Sequence, residues 1–276
     1  MRCPGSKDKG NVMYHTTYTR ASSAADAASK MSDADDGKYL SGGQTLLPTM
    51  KARLAAPSDL IDLTHISGMK GISFAGNTLT IGAATIHADV ATSPDVAAAI
   101  PALAALAGNI GDPTVRNLGT IGGSIANNDP AADYPAACLG LGATIVTDQR
   151  EIPADEFFDG LFATVLEENE IITAVKFPVP ERAGYEKFPN PASRYALVGV
   201  FAAQAADGVR VAVTGAGNDG VFRHGGAEAA LAGNFAADAL DGLATDADTM
   251  LADIHASSAY RAHLVGVIAK RAVAKA

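Results

Sequence analysis

Apolar positions in this chain come in short runs punctuated by glycine and proline, and their spacing changes twice along its length. Ala21 to Met31 reads as a short helix with Ser22 or Ser23 as its N-cap. Lys38-Tyr39-Leu40 reads as a buried strand that ends in Ser41-Gly42-Gly43. Gln44 to Leu54 follows as a helix, with Leu47, Met50 and Leu54 at helical spacing and Pro48 in the first turn. Leu60 to Leu63 is a second strand, so the first unit is small and partly parallel. From Ile72 the pattern becomes that of a hairpin, with Ile72 to Phe74 and Thr78 to Ile81 flanking Ala75-Gly76-Asn77. Thr85 to Thr92 and Asp95 to Ala107 are helical, the latter capped by Ser93-Pro94 and interrupted at Pro101.

Ala137 to Leu141 forms a short element, Ala143 to Thr147 a strand that turns back towards Glu151-Ile152-Pro153, and Glu170 to Phe177 a further strand. Pro178 to Gly184 is the expected linker. Beyond it, Tyr185 to Phe188 and Ser193 to Ala206 are strands, and Asp207-Gly208 turns the chain into Val209 to Val213. Gly215 to Gly220 is expected as the exit loop. Short helices follow at Ala227 to Ala232 and Ala236 to Leu243. A last helix starts near Ser257 and carries Tyr260, Leu264, Val267, Ile268 and Arg271 on one face.

Gly108 to Asp133 fits none of these periods. Its spaced apolar residues (Ile110, Val115, Leu118, Ile121 and Ile125) speak for order, so it is expected as an ordered irregular loop presenting bare backbone to a ligand. Gly122 and Gly123 remove two Cβ atoms where close approach is needed, and successive N–H groups of such a turn form an anion site without a lysine. Asp129 and Asp133 add acceptors for sugar or polyol hydroxyls. The alternative is a tight turn with capping aspartates. Gly42-Gly43, between a strand and a helix start, suits a phosphate for the same reasons, or is a close-packed junction. Two such turns could clasp a central diphosphate from both sides.

Composition narrows the chemistry. With 276 residues, 48% hydrophobic and 18% charged, the chain is globular rather than disordered. Its net charge of −9 argues against nucleic acid, and no apolar run is long enough for a membrane span. The first twelve residues read as a tail without the apolar core of a secretory signal. Cys3 and Cys138 form no metal or iron–sulfur motif, Cys138 reads as an inert buried thiol, and a reducing cytoplasm is expected. His255 and His263 lack ligand spacing, and neither a G-x-S-x-G elbow nor a Walker A lysine occurs.

An ordered series of motifs carries a family resemblance. Leu40-Ser41-Gly42-Gly43-Gln44-Thr45-Leu46-Leu47-Pro48, Leu60-Ile61-Asp62-Leu63, Thr80-Ile81-Gly82-Ala83, the run from Val115 to Ser124, and Asp129-Pro130-Ala131-Ala132-Asp133 come first. Ser193 to Val198, Asp253 to Ser257 and Tyr260-Arg261 complete it. Together they resemble the flavin-binding medium subunit of molybdenum hydroxylases, the group that includes aerobic carbon monoxide dehydrogenase and xanthine dehydrogenase.

The resemblance implies an α+β fold with an FAD-binding domain over residues 13–178. That domain would split into a small partly parallel subdomain (about 13–66) and a larger, mainly antiparallel one (67–178). A C-terminal domain over residues 179–276 would carry a three-stranded antiparallel sheet and helices. It implies that Lys38, Tyr39, Leu40, Ser41, Gly42, Gly43, Gln44, Thr45 and Leu46, with Thr120, Ile121, Gly122, Gly123 and Ser124, hold the FAD diphosphate and ribityl chain through backbone donors. Asp133 would meet the ribityl region. Ile110 and Ile172 would wall the isoalloxazine ring, and Tyr195 would cover one face. Lys187 would stand near the ring and favour the anionic reduced flavin, or else be a solvated strand lysine.

Gln44-Thr45 departs from the His-Ser or Gln-Ser common in the family, and Asn127-Asn128 replaces a variable pair, with no loss of backbone donors. The implied activity is electron transfer by an oxidoreductase subunit. Electrons would arrive from two-iron clusters on a small partner and leave to an external acceptor. The molybdenum cofactor would sit on a large partner, in a dimer of heterotrimers. A self-sufficient FAD oxidase or dehydrogenase and a non-enzymatic assembly subunit are the alternatives.

Overall fold

The computed structural model describes residues 14–276, so the expected tail and Cys3 lie outside the described residues. The chain begins with β1 (Thr17–Arg20), α1 (Ala24–Ser32), β2 (Gly37–Leu40), α2 (Leu46–Lys51) and β3 (Asp59–Asp62). These form a parallel three-stranded sheet in the order β1-β3-β2, with Leu40 opposite Asp62. Ser23 caps α1 by accepting the Asp26 N–H at 3.1 Å. Strand β1 had no signal in the sequence, because Thr17-Tyr18-Thr19-Arg20 lacks apolar alternation and is mostly exposed. Helix α2 stops short of the expected Leu54, since Arg53 turns left-handed at φ +61° and ends it.

The middle of the chain runs β4 (Ile72–Ala75), β5 (Thr78–Gly82), α3 (His87–Thr92), α4 (Pro94–Ala99), α5 (Pro101–Gly108), α6 (Pro113–Arg116), α7 (Ile121–Asn127) and α8 (Tyr134–Leu141). It continues through β6 (Thr144–Thr147), β7 (Glu151–Pro153), α9 (Ala154–Phe157) and β8 (Ile172–Pro178). The five strands make an antiparallel sheet in the order β4-β5-β8-β6-β7. The helix expected over Asp95 to Ala107 is two helices, because Pro101 cannot donate to the preceding turn and starts α5 instead. The stretch from Gly108 to Asp133 is also not the irregular loop expected. Two short helices lie in it, each started by a side-chain cap: Asp112 accepts the Val115 N–H at 3.0 Å, and Thr120 accepts the Gly123 N–H at 3.1 Å.

The last third holds β9 (Arg182–Pro189), β10 (Ala196–Ala205), β11 (Gly208–Gly217), β12 (Gly220–Arg223), α10 (Gly225–Leu231) and α11 (Ser258–Val273). Strands β9, β10 and β11 supply the expected antiparallel sheet. Strand β11 runs on through the expected exit loop and turns at Asn218-Asp219, adding the short β12 as a fourth strand. Helix α11 lies on the sheet one position out of the expected phase. Its buried face is Arg261, Leu264, Val265, Ile268 and Ala272, while Tyr260 and Arg271 point outward.

No flexible linker separates the two parts. Only residues 179–181 lie between β8 and β9, and Gly184 packs so closely on α11 that a Cβ there would fall 1.9 Å from the Ala272 carbonyl oxygen. The larger apolar core joins Leu79, Ile81, Leu103 and Phe177 to Tyr185, Phe201 and Ala212 of the C-terminal sheet. All eight residues of α8 are buried between the two sheets.

Candidate functional site

A cleft of about 710 Å³ lies where the parallel unit, the antiparallel unit and the C-terminal sheet meet. It is lined by Lys38, Tyr39, Leu40, Ser41, Gly42, Gly43, Gln44, Thr45 and Leu46 on one side, and by Thr120, Gly122, Gly123 and Ser124 on the other. Asp133, Ile110, Ile172 and Tyr195 complete the expected set. Two expected residues are elsewhere. Ile121 is fully buried in the core, and Lys187 sits behind Asp133 rather than on the cleft wall.

The two glycine turns face each other and touch. Ser41 Oγ and Thr120 Oγ1 share a hydrogen bond. A Cβ on Gly42 would lie 2.3 Å from the Leu118 carbonyl oxygen, and one on Gly122 would lie 2.6 Å from the Ala83 Cβ. Both positions therefore need glycine for contact between backbones. Gly43 needs it for conformation, at φ +67°.

The turns differ in their donors. Among the described residues, the N–H groups of Gly42, Gly43, Gln44 and Thr45 have no hydrogen-bond partner in the chain. They form a concave row of free donors at the start of α2, as anion-binding nests do. In the second turn the donors from Ile121 onward are spent, contrary to the expected anion site. Ile121 N–H donates to the Thr85 carbonyl, Gly122 N–H to Ala83, Gly123 N–H to the Thr120 hydroxyl and Ser124 N–H to the Thr120 carbonyl. The second turn contributes shape and hydroxyls.

Asp133 is buried, and burial pushes its carboxyl above its ordinary value against the pull of Lys187 and Tyr185. Lys187 Nζ lies 3.0 Å from Oδ1, and the Tyr185 hydroxyl donates to the same oxygen. Tyr185 is itself pushed well above the ordinary phenol range by burial beside Asp133, so it stays a donor. The Lys187 side chain is only 6% exposed and also donates to the Asn109 carbonyl at 2.9 Å, so it is no solvated lysine. Tyr195 stands 45% exposed at the mouth, on a loop whose Asn190 Oδ1 accepts the Ala192 N–H.

Several lining residues had no usable signal. His87 is 4% exposed, and its imidazole is pushed down to about 4 by burial and then by the Arg116 charge, so it is neutral. Among the described residues its Nδ1 has no hydrogen-bond partner. Leu166, Ile171 and Glu170 reach the cleft from the loop before β8 and its start. Glu170 is held down to about 2, first by its hydrogen bond from Arg150. Cys138 is buried and its thiol pushed up, as an inert thiol requires. Among the described residues no cluster of His, Cys, Asp and Glu forms a metal site, and no helix is long and apolar enough to cross a membrane.

A family described as "FAD binding domain in molybdopterin dehydrogenase" matches residues 13–180. The chain belongs to this family. The medium chain of carbon monoxide dehydrogenase from Hydrogenophaga pseudoflava is 36% identical over 253 residues, covering 86% of this chain and 88% of that one. The medium subunit of nicotine 6-hydroxylase from Paenarthrobacter nicotinovorans is 35% identical over 273 residues, covering 94% and 96%. In three dimensions the chain superposes on a chain of Cu,Mo-CO dehydrogenase with a TM-score of 0.87 at 31% identity, covering 96% and 98%. The homologues are oxidoreductase subunits of molybdenum-containing dehydrogenases, and the mixed α+β architecture is theirs. The free donors, close-approach glycines and apolar far end of the cleft between the glycine turns suit a dinucleotide.

Proposed function

We propose that this chain is the FAD-carrying electron-transfer subunit of a molybdenum hydroxylase complex. In this reading it accepts electrons from iron–sulfur clusters on a small partner and passes them to an external acceptor. The observation that carries the reading is the row of unpaired N–H groups from Gly42 to Thr45, closed over by the Thr120 turn in the same cleft. FAD would supply the redox chemistry; the protein binds and orients it.

Each residue then has a physical task. The Gly42 to Thr45 donors neutralise a diphosphate without buried lysines. Ser41 and Thr120 fix the distance between the two turns. Asp133 is oriented by Lys187 and Tyr185 so that its carboxylate meets polyol hydroxyls. Ile110 and Ile172 offer an apolar wall, and Tyr195 is placed to cover the mouth and exclude water. Lys187 works as a positioning residue, because its charge is matched by Asp133. No side chain here is asked to move a proton. A large molybdenum-cofactor subunit and a small iron–sulfur subunit complete the proposed assembly, a dimer of heterotrimers in the cytoplasm.

Titrating FAD into the purified full chain tests the cofactor. One equivalent should bind with quenched flavin fluorescence, and a folded chain that takes up no flavin would overturn the reading. Purification from the native host tests the assembly. Molybdenum- and iron-bearing chains should accompany this one, whereas flavin-dependent turnover by the isolated chain would favour a self-sufficient enzyme.

A further inference from the structure

A second cavity, of about 560 Å³, opens beside the first and shares Gly111 and Arg194 with it. Arg116, Lys187, Arg194 and Lys275 line it against a single acid, Glu186, although the whole chain carries a net charge of −9. Two of the four cations are already matched: Lys187 pairs with Asp133, and Lys275 with Glu186. The arginines use carbonyl oxygens instead. Arg116 NH1 donates to Ile110 at 3.0 Å and to Gly111 at 3.2 Å, while Arg194 NH1 reaches the same Gly111 oxygen at 3.4 Å. Asp112 feels both charges, but its carboxylate accepts the Val115 N–H as the cap of α6.

Two positive charges converging on one neutral oxygen repel each other, a repulsion that the Asp112 carboxylate offsets in part and a bound anion would relieve further. The arrangement is also held under strain. Arg194 has a left-handed backbone, φ +63°, which a residue with a Cβ adopts only where the surroundings impose it. Here Asn190 imposes it, since its carbonyl accepts the Arg194 N–H at 2.8 Å and its side chain accepts the Ala192 N–H. Such strain gathers at ligand clamps.

We propose that Arg116 and Arg194 form an oxyanion site in this second cavity, taking a phosphate, carboxylate or sulfonate group between their guanidinium forks. Forked guanidinium donors fit planar and tetrahedral oxyanions better than lysines do. Ile110, next to Gly111, and Tyr195, next to Arg194, both belong to the first cleft. Resting on the function proposed above, this places the anion beside the ring end of the flavin, where an acceptor bearing an anionic group would be held.

Calorimetric titration of the full, FAD-loaded chain with inorganic pyrophosphate tests the site, because the loaded cofactor keeps the probe out of the first cleft. A single saturable event is expected. Arg194→Gln, an exposed substitution compared with wild type at equal flavin loading, should weaken it about tenfold or more. Arg194→Lys should restore part of the affinity. Absence of saturable binding, or equal binding by wild type and Arg194→Gln, overturns the site. Failure of the chain to retain FAD is a separate result, and counts against the proposed function instead.

The source of the anion is read from reoxidation of the chemically reduced chain by 1,2-naphthoquinone and its 4-sulfonate. If the acceptor carries the anion, Arg194→Gln slows only the sulfonate. If the site takes a free anion, both quinones respond alike to the substitution.

Discussion

Ser41 Oγ and Thr120 Oγ1 lie 2.8 Å apart although 79 residues separate them in the chain. The Thr120 oxygen also accepts the Gly123 N–H, so one hydroxyl both starts α7 and ties the two glycine turns together. Thr120→Val, which keeps the shape and removes the hydroxyl, should cost about 1–2 kcal/mol of stability through the lost cap and loosen flavin binding as well. Ser41→Ala removes only the tie and should cost about 1 kcal/mol or less. Urea denaturation and flavin titration of both variants measure the two effects separately.

Gly42 and Gly43 should respond differently to alanine. At Gly42 the new Cβ meets backbone of the other turn, at 2.3 Å from the Leu118 oxygen and 2.6 Å from the Gly119 Cα, so the turns must part. At Gly43 the nearest atoms belong to the Leu47 and Leu40 side chains, which can shift, and the main penalty is the positive φ. Gly43→Ala should therefore cost about 1 kcal/mol, with most flavin binding kept, whereas Gly42→Ala should lose flavin about tenfold or more. Equal losses in the two variants would show that the turns do not act as one clasp.

Lys187→Met leaves Asp133 buried without its cation. Removing one partner of a buried pair costs roughly 3–5 kcal/mol at neutral pH. Asp133 escapes that penalty by taking up a proton, so the gap between wild type and variant should narrow as the pH falls. Denaturation midpoints across pH 4–8 check this, and Asp133→Asn in the Lys187→Met background should recover much of the loss.

Acid should destabilise the protein in two steps. The folded-state His87 value, about 4, lies below its ordinary 6.5, so the fold disfavours the protonated ring. Its contribution is whole above pH 6.5 and drains away as the pH falls towards 4, worth on the order of 3 kcal/mol in full. Glu170, held to about 2 against an ordinary 4.5, is likewise a depressed group, and its contribution is lost lower, between pH 4.5 and 2. His87→Gln should remove the upper step and leave the lower one, as read by thermal midpoints in buffers from pH 3 to 7.

What was legible in the sequence was whatever local chemistry decides. Ser23, Ser93 and Ser257 announce their helices because a hydroxyl before a helical run satisfies a free N–H whatever the rest of the chain does. The glycine pairs were visible for a similar reason. Strand β1 was not, because its four residues are held by pairing to β3, some forty residues on. Helix α7 escaped because Gly122 and Gly123 are poor helix formers, tolerated here since Ala83 at Gly122 and the Thr120 hydroxyl at Gly123 crowd the space a Cβ would take. Arg261, left out of the apolar face read for the last helix, is buried. Its NH1 bridges the Leu197 and Gly215 carbonyls at 2.6 Å each, a partnership visible only once β10 and β11 are in place. The pairing of Lys187 with Asp133 was hidden in the same way.

The bond between Lys187 and Asp133 also bears on how the protein is made. Asp133 emerges from the ribosome 54 residues ahead of the lysine that matches its charge, and α8, just after it, has no C-terminal sheet to lie against until β10 and β11 exist. The family match stops at residue 180, yet a nascent chain paused there has a raw apolar helix and an unmatched carboxylate at its centre. A fragment ending at Pro180 should show helical far-ultraviolet dichroism with little near-ultraviolet signal, since its packing waits for the final third. On that outcome, the unit that sequence comparison cuts out is shorter than the unit that folds.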